Sequence, residues 1–506
     1  MTLSPWLLLV LSESHGCMEG HRVRHLPGAD LTESNASHFS GYLEVSSHDA
    51  DLNIFYYYTK HNDATAPLLV WMNGGPGASS LMGLFTELGP LLLNSRSLPA
   101  NNADGKWNLL QNPYSWSSNA SLLVWEQPAG VGFSRCKPDP CTQPWNDTSS
   151  AEANLEFLLE FYRAFPSELR REVYISGESY GGVYVPLLAE RVHKHNQIAA
   201  TDAGSAPPIK LMGIAVGNGC VGWTQKGGCG LDAMDLLVTA MEQGAPGVSR
   251  SVLSRVRTDC EAGELVSGKQ PTELSAACLV AMQGLLEELG EYNEYSRGSA
   301  CGPDGSGNWG DGSGFSCGAD TALRQYLASA EVQEALHVLP PGSGQSPLRW
   351  QWWDGDSPFY RITNPNVVPT YSALLAGGYE VVIYNGLRDT GVPSQGAERW
   401  ITTIGNGTVS SPRRKWSSPS VGGAGGHYFN TSQVAGYTTT YANGIRFISI
   451  IGAGHLMPSE RPASALTVIS AVLANAELPL YSGPKCKRLW LGRGYGNFCT
   501  NGSTVS

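Results

Sequence analysis

Charge is what this sequence has least of. Only 15% of its 506 residues are Asp, Glu, Lys or Arg, against roughly 25% in ordinary soluble domains. With 33 basic and 44 acidic side chains the formal charge is −11, a balance that argues against a nucleic-acid partner, which usually needs a basic face. Also missing is any apolar stretch near the roughly 18 residues of a membrane-spanning helix. No CxxC pair occurs among the 11 cysteines, which leaves no structural-zinc signature. There is no internal repeat, no Gly-Lys-Ser/Thr loop and no Rossmann glycine spacing. Nothing in the chain calls for a cofactor or a metal.

What is abundant is glycine. Its 60 residues amount to about 12% against a usual ~7%, which points to many tight turns. Hydrophobic residues make up 42%, enough for a large core. Length alone suggests roughly three domains, a soft prior for α/β chains.

The compartment reads as oxidising. Residues 5–11 (PWLLLVL) form a short apolar run, and 1–20 is read as a signal peptide, although no Lys or Arg precedes the run. Asn-x-Ser/Thr acceptors occur at Asn35, Asn119, Asn146, Asn406, Asn430 and Asn501. Asn119 leads into an apolar segment and is set aside as liable to burial, leaving five glycosylation candidates. Cleavage beyond Cys17 would leave ten cysteines, an even set suited to disulfides such as Cys136–Cys141. Export, vacuole and lysosome are not distinguished.

Strand and helix signals alternate along the chain. Residues 38–46 and 53–60 read as a β-hairpin. Buried-strand runs follow at 67–72 (PLLVWM), 121–126 (SLLVWE), 171–176 (REVYIS), 209–216 (IKLMGIAV), 379–384 (YEVVIY) and 445–451 (IRFISII). Helical spacing marks 149–165 and 461–476. This order predicts a mostly parallel central sheet with helices on both faces, interrupted once. The core is assigned to 21–220 and 366–506. Residues 221–365, rich in cysteine and holding a glycine-rich loop at 298–318, form an inserted lid.

Two Gly-x-Ser-x-Gly matches occur, and context separates them. Ser316 sits in the glycine-rich loop. Ser179, in Gly177-Glu178-Ser179-Tyr180-Gly181, follows a strand and opens a helix, the elbow that exposes a nucleophilic hydroxyl. Serine needs a base to take its proton and a carboxylate to orient that base. Asp389 and His455 each follow a predicted strand, in the order Ser, Asp, His. The turn Asn73-Gly74-Gly75-Pro76-Gly77 follows another strand. Gly75 and Tyr180 would supply two backbone N–H groups to a developing oxyanion.

WMNGGPGASS, GESYGG, NGLRD and GAGHLMPSERP strongly resemble the serine carboxypeptidase family of α/β-hydrolases, over about residues 35 to 475. The resemblance implies an α/β-hydrolase fold and hydrolysis of C-terminal residues from peptides or proteins with a free C-terminus. It also implies that Trp71, Asn73, Glu87 and Glu178 bind the substrate's terminal carboxylate. Two adjacent carboxyls share a proton more easily than they ionise together, so activity is expected to favour acidic pH. Glu87 could alternatively be a solvated helix charge. Ala78 and Val392 stand where the family usually has cysteines, so one familiar disulfide is expected to be absent or rearranged and sensitivity to mercurials reduced. An acyltransferase on the same scaffold is the main competing reading, disfavoured because such relatives typically carry Asp before the serine. A protective, non-catalytic role could coexist with catalysis, and homodimerisation is left open.

Overall fold

The computed structural model describes residues 19–32, 36–47, 50–202, 204–222, 248–266, 274–290, 293–297, 317–350, 360–418, 434–481, 486–490 and 495–499, together with Val238 and Met241. Residues 1–18 of the expected signal peptide at 1–20, and Asn35, Asn430, Asn501 and Ser316, lie outside them.

An 11-stranded sheet runs through the molecule. Its strands are β1 (Ala36–Ser47), β2 (Ala50–His61), β3 (Leu68–Met72), β4 (Ser121–Trp125), β5 (Arg135–Lys137), β6 (Val173–Glu178), β7 (Leu211–Gly217), β8 (Glu380–Gly386), β9 (Val409–Ser417), β10 (Val434–Tyr441) and β11 (Arg446–Ile450). The order is β1-β2-β4-β3-β6-β7-β8-β11-β10-β9, with β5 paired to β2. Every neighbour pair from β4 to β11 along this path is parallel. The two flanks are antiparallel.

Alternation along each strand splits the interior in two. On β2, Tyr56 and Tyr58 face one hydrophobic cluster while Phe55 and Tyr57 face the other. On β3, Val70 and Met72 join the first and Leu69 and Trp71 the second. A sheet apolar on both faces must be covered on both, which is why its central strands read as unbroken apolar runs. Helices α1 (Asp147–Ala164) and α2 (Gly181–Ala199) cover the first face. The last helix, Pro462–Leu473, covers the second.

Between β7 and β8 the chain leaves the sheet. Helices Arg250–Asp259 and Ala276–Leu289 build a small core of their own around Leu253, Val256, Met282 and Leu285, tied by the Cys260–Cys278 disulfide. Farther along, Leu323, Tyr326 and Trp350 pack into the main core instead. The inserted stretch is therefore of two kinds, one self-contained and one integral to the sheet's second face. The local Cys136–Cys141 bridge is present. Among the described residues no helix is long and apolar enough to cross a membrane.

Candidate active site

Every residue singled out at a strand end lies on one edge of the sheet, at the carboxyl ends of its parallel strands. Ser179 is the first residue after β6 and holds φ 60°. Positive φ is unusual for a side-chain-bearing residue and persists only where the surroundings enforce it. Here the Ser179 N–H donates to Gly217 O at 3.1 Å, and its carbonyl accepts from Gly182 N and Cys220 N, both at 2.9 Å. The glycines are required by space. A Cβ on Gly177 would lie 2.4 Å from Met72 O, and one on Gly182 would lie 2.1 Å from Cys220 O.

Asp389 and His455 meet beyond β8 and β11. His455 Nδ1 and Asp389 Oδ2 are 2.5 Å apart, both residues buried. The other carboxylate oxygen accepts from the backbone N–H of Gly391 and Val392 at 2.9 and 3.0 Å. Asn218 Nδ2 donates to Oδ2 at 2.8 Å. With acceptor-only oxygens so committed, Nδ1 is the protonated imidazole nitrogen and Nε2 is left as the base. Burial works most strongly against the imidazolium, but Asp389, Glu87 and Glu460 together raise the His455 pKa.

The inserted stretch reaches into this pair through residues 293–297. Tyr295 O accepts the backbone N–H of His455 at 2.7 Å, and the two rings pack at a tilt with centroids 4.7 Å apart. Glu294 O accepts from Thr390 N and Oγ1, both at 2.8 Å, and Arg297 N donates to Arg388 O at 3.0 Å. Ser296 Oγ donates to buried Glu460 at 2.6 Å.

The glycine turn stands against the elbow. A Cβ on Gly74 would fall 2.3 Å from Tyr180 N, and Gly75 adopts φ 108°. Side-chain-free backbone is what lets the turn and the Tyr180 amide approach so closely.

Beside them lies a carboxyl pair. Asn73 Nδ2 donates to Glu178 Oε1 at 2.9 Å and to Glu87 Oε1 at 3.4 Å. Its Oδ1 accepts from Trp71 Nε1 at 2.8 Å and Gly83 N at 3.1 Å, which fixes the amide's orientation. Glu87 is 1% exposed, on the π-helical turn Leu84–Leu88, so it is no solvated helix charge. Burial pushes it up to about 7, opposed by Asn73. Burial, then the neighbouring Glu87 charge, raises Glu178 further. Two neighbouring buried carboxyls cannot both ionise cheaply, so the pair holds a proton between them.

Residues 27–475 match the sequence profile described as serine carboxypeptidase. The chain belongs to the serine carboxypeptidase family. Serine carboxypeptidase-like 36 of Arabidopsis thaliana is 31% identical, covering 90% of this chain and 86% of that protein. Serine carboxypeptidase-like 35 of the same plant is 29% identical, covering 93% and 94%. A prohormone-processing carboxypeptidase from Saccharomyces cerevisiae superposes with TM-score 0.67 at 22% identity, covering 96% and 99%, and shows the shared α/β-hydrolase fold.

Of the family positions, Val392 is buried and donates its N–H to Asp389. Asn119, set aside as liable to burial, is exposed, and its Nδ2 donates to Ser470 Oγ at 2.6 Å. The apolar run after it begins one residue too late to bury it. Asn146 is half-buried and its Oδ1 caps α1. Asn406 falls on the 3-10 turn Gly405–Gly407. Sequence reasoning missed Asn218, although its place in Gly217-Asn218-Gly219 at the end of β7 was a signal. It also missed Asp147, Glu126 and Glu460, buried carboxyls that look in sequence like any surface acid. Among the described residues no group of His, Cys, Asp and Glu is arranged to hold a metal.

Proposed function

We propose that this protein is a serine-type carboxypeptidase of the secretory pathway that releases C-terminal residues from peptides at acidic pH. Ser179 attacks the last peptide carbonyl while His455 Nε2 takes its proton, and Asp389 holds the imidazole in that tautomer. The N–H groups of Gly75 and Tyr180 stabilise the oxyanion. His455 then protonates the departing amine, and water cleaves the acyl-enzyme. The observation that carries the reading is the buried Trp71–Asn73–Glu87–Glu178 set beside the elbow. A protonated carboxyl pair with an oriented amide can donate to a terminal carboxylate; a simple esterase has no need of it.

Purified protein incubated with N-blocked dipeptides between about pH 4 and 7 should release free C-terminal amino acids, and Ser179→Ala should not. Transfer of the acyl group to an alcohol without such release would favour the acyltransferase instead. Wild-type kcat/KM should fall as pH rises past about 7, where the carboxyl pair gives up its protons. Glu178→Gln, which keeps a neutral donor, should flatten that loss. C-terminally amidated substrates should show neither effect. An unchanged profile in Glu178→Gln would sink the assignment.

A further inference from the structure

Asp147 opens α1, is 0% exposed, and takes no part in the chemistry just described. Its carboxylate nonetheless reaches both walls of the oxyanion hole. Oδ1 accepts from the Tyr180 hydroxyl at 2.6 Å and from the Tyr360 hydroxyl at 3.0 Å. Oδ2 accepts from the backbone N–H groups of Thr363 and Asn364, both at 2.6 Å, and from Thr363 Oγ1 at 3.2 Å. The first contact holds the residue whose amide is one oxyanion donor. The second leads to the other donor. Tyr360 hydrogen-bonds Tyr184, and the Tyr184 hydroxyl accepts the Gly77 N–H at 3.2 Å, at the foot of the turn that carries Gly75. Tyr180, Tyr184 and Tyr360 pack edge to face, with centroids 5.1 and 6.1 Å apart.

We propose that Asp147 is a positioning residue for the oxyanion hole, setting the separation and aim of its two N–H donors through Tyr180 on one side and Tyr360 and Tyr184 on the other. The proposal rests on the serine-hydrolase reading of the site. A charged acceptor makes stronger hydrogen bonds than a neutral one, and the first helical position favours its charge, so the anchor is firm. Tight anchoring matters here because oxyanion donors act only on the transition state. A misplaced donor lowers kcat and leaves substrate binding alone. A carboxylate that merely capped α1 would affect stability without that selectivity.

The test uses the full chain, an N-blocked dipeptide, and the peptide boronic acid whose adduct with Ser179 places an oxygen in the hole. Asp147→Asn keeps the shape but loses an acceptor. Outright loss of a donor costs about 10²–10³ in kcat, so its displacement should lower kcat about tenfold to a hundredfold, with KM within about twofold. Boronate affinity should fall by the same factor as kcat/KM. Tyr180→Phe, which deletes one tether, should show a smaller loss of the same kind. Adding Asp147→Asn to it should cost less than Asp147→Asn costs alone. A folded Asp147→Asn protein with wild-type kcat and boronate affinity would overturn the proposal. If Asp147→Asn does not fold, Tyr180→Phe and Tyr360→Phe decide. Unchanged kcat in both overturns it, and a kcat-selective loss in either supports it. An unmutated protein that neither hydrolyses the dipeptide nor reacts with a fluorophosphonate probe would overturn the serine-hydrolase reading as well, and so is told apart from failure of Asp147 alone.

Discussion

Asn218 shows how much of the site depends on side chains that never meet a substrate. It adopts φ 37°, donates through Nδ2 to Asp389 and accepts the Gly386 N–H through Oδ1 at 2.8 Å. One amide thus stitches the end of β7 to the loop that carries the acid of the pair. Asn218→Ala should lower kcat about tenfold with little change in KM, because the acid keeps its charge and loses its aim. Steady-state kinetics beside a thermal melt would separate this from simple unfolding. At the same scale, Gly74→Ala puts a methyl against the Tyr180 amide and should abolish turnover while the protein still folds around a displaced elbow; circular dichroism and kcat check both halves. The order Ser179, Asp389, His455 was legible because three strand ends announce it. Asn218 left only the faint signal of its place between two glycines at a strand end, and Asp147 left none, since an acid in the first turn of a helix reads the same whether it is solvated or buried.

At the scale of elements, α1 is held at its start by a capping box. Asn146 Oδ1 accepts from Thr148 N and Ser149 N at 2.9 and 3.0 Å, and Ser149 Oγ answers to Asn146 N at 3.0 Å. Asn146 and Thr148 are also the two ends of a glycosylation sequon, which allows cap and glycan to be separated. Both Asn146→Ala and Thr148→Ala abolish the acceptor, but only the first removes the cap. Asn146→Ala should therefore be less stable than Thr148→Ala by about 1 kcal/mol in denaturant unfolding. Equal losses would mean the cap contributes nothing. The parallel strands and both long helices of the core were readable from apolar runs and 3.6-residue spacing. The edge strand β9 and its neighbour β10 were not. Their pairing slips register three times, and β9 is mostly exposed, so neither alternation nor an apolar run marks it.

Over the whole molecule, buried ionisable groups set the pH of greatest stability. Burial lifts Glu87, Glu126 and Glu460 to about 7, and raises Glu178 well above its ordinary value. Carboxyls raised above their unfolded value of about 4.5 stabilise the fold fully below that pH, and the contribution is lost as pH rises through about 7. His21, His38 and His337 are shifted down by burial, His38 to about 4. Their contribution is full above about 6.5 and fades as pH falls toward about 4. The raised carboxyls are the larger set, so the melting temperature should be higher at about pH 5 than at about pH 8. Scanning calorimetry at the two values checks it, and the reverse order would mean the carboxyls stay ionised.

Residues 293–297 give the inserted stretch a second kind of importance. They are held by the very loops that carry Asp389 and His455, so a shift of the stretch moves the proposed catalytic pair with it. A relative's insertion grafted onto this core would bring a foreign clamp to the imidazole. Chimeras that exchange helices Arg250–Asp259 and Ala276–Leu289 but keep 293–297 native should stay active, whereas those that cut beyond residue 297 should lose turnover despite an intact triad. The five residues 293–297 thus mark where the stretch stops being exchangeable.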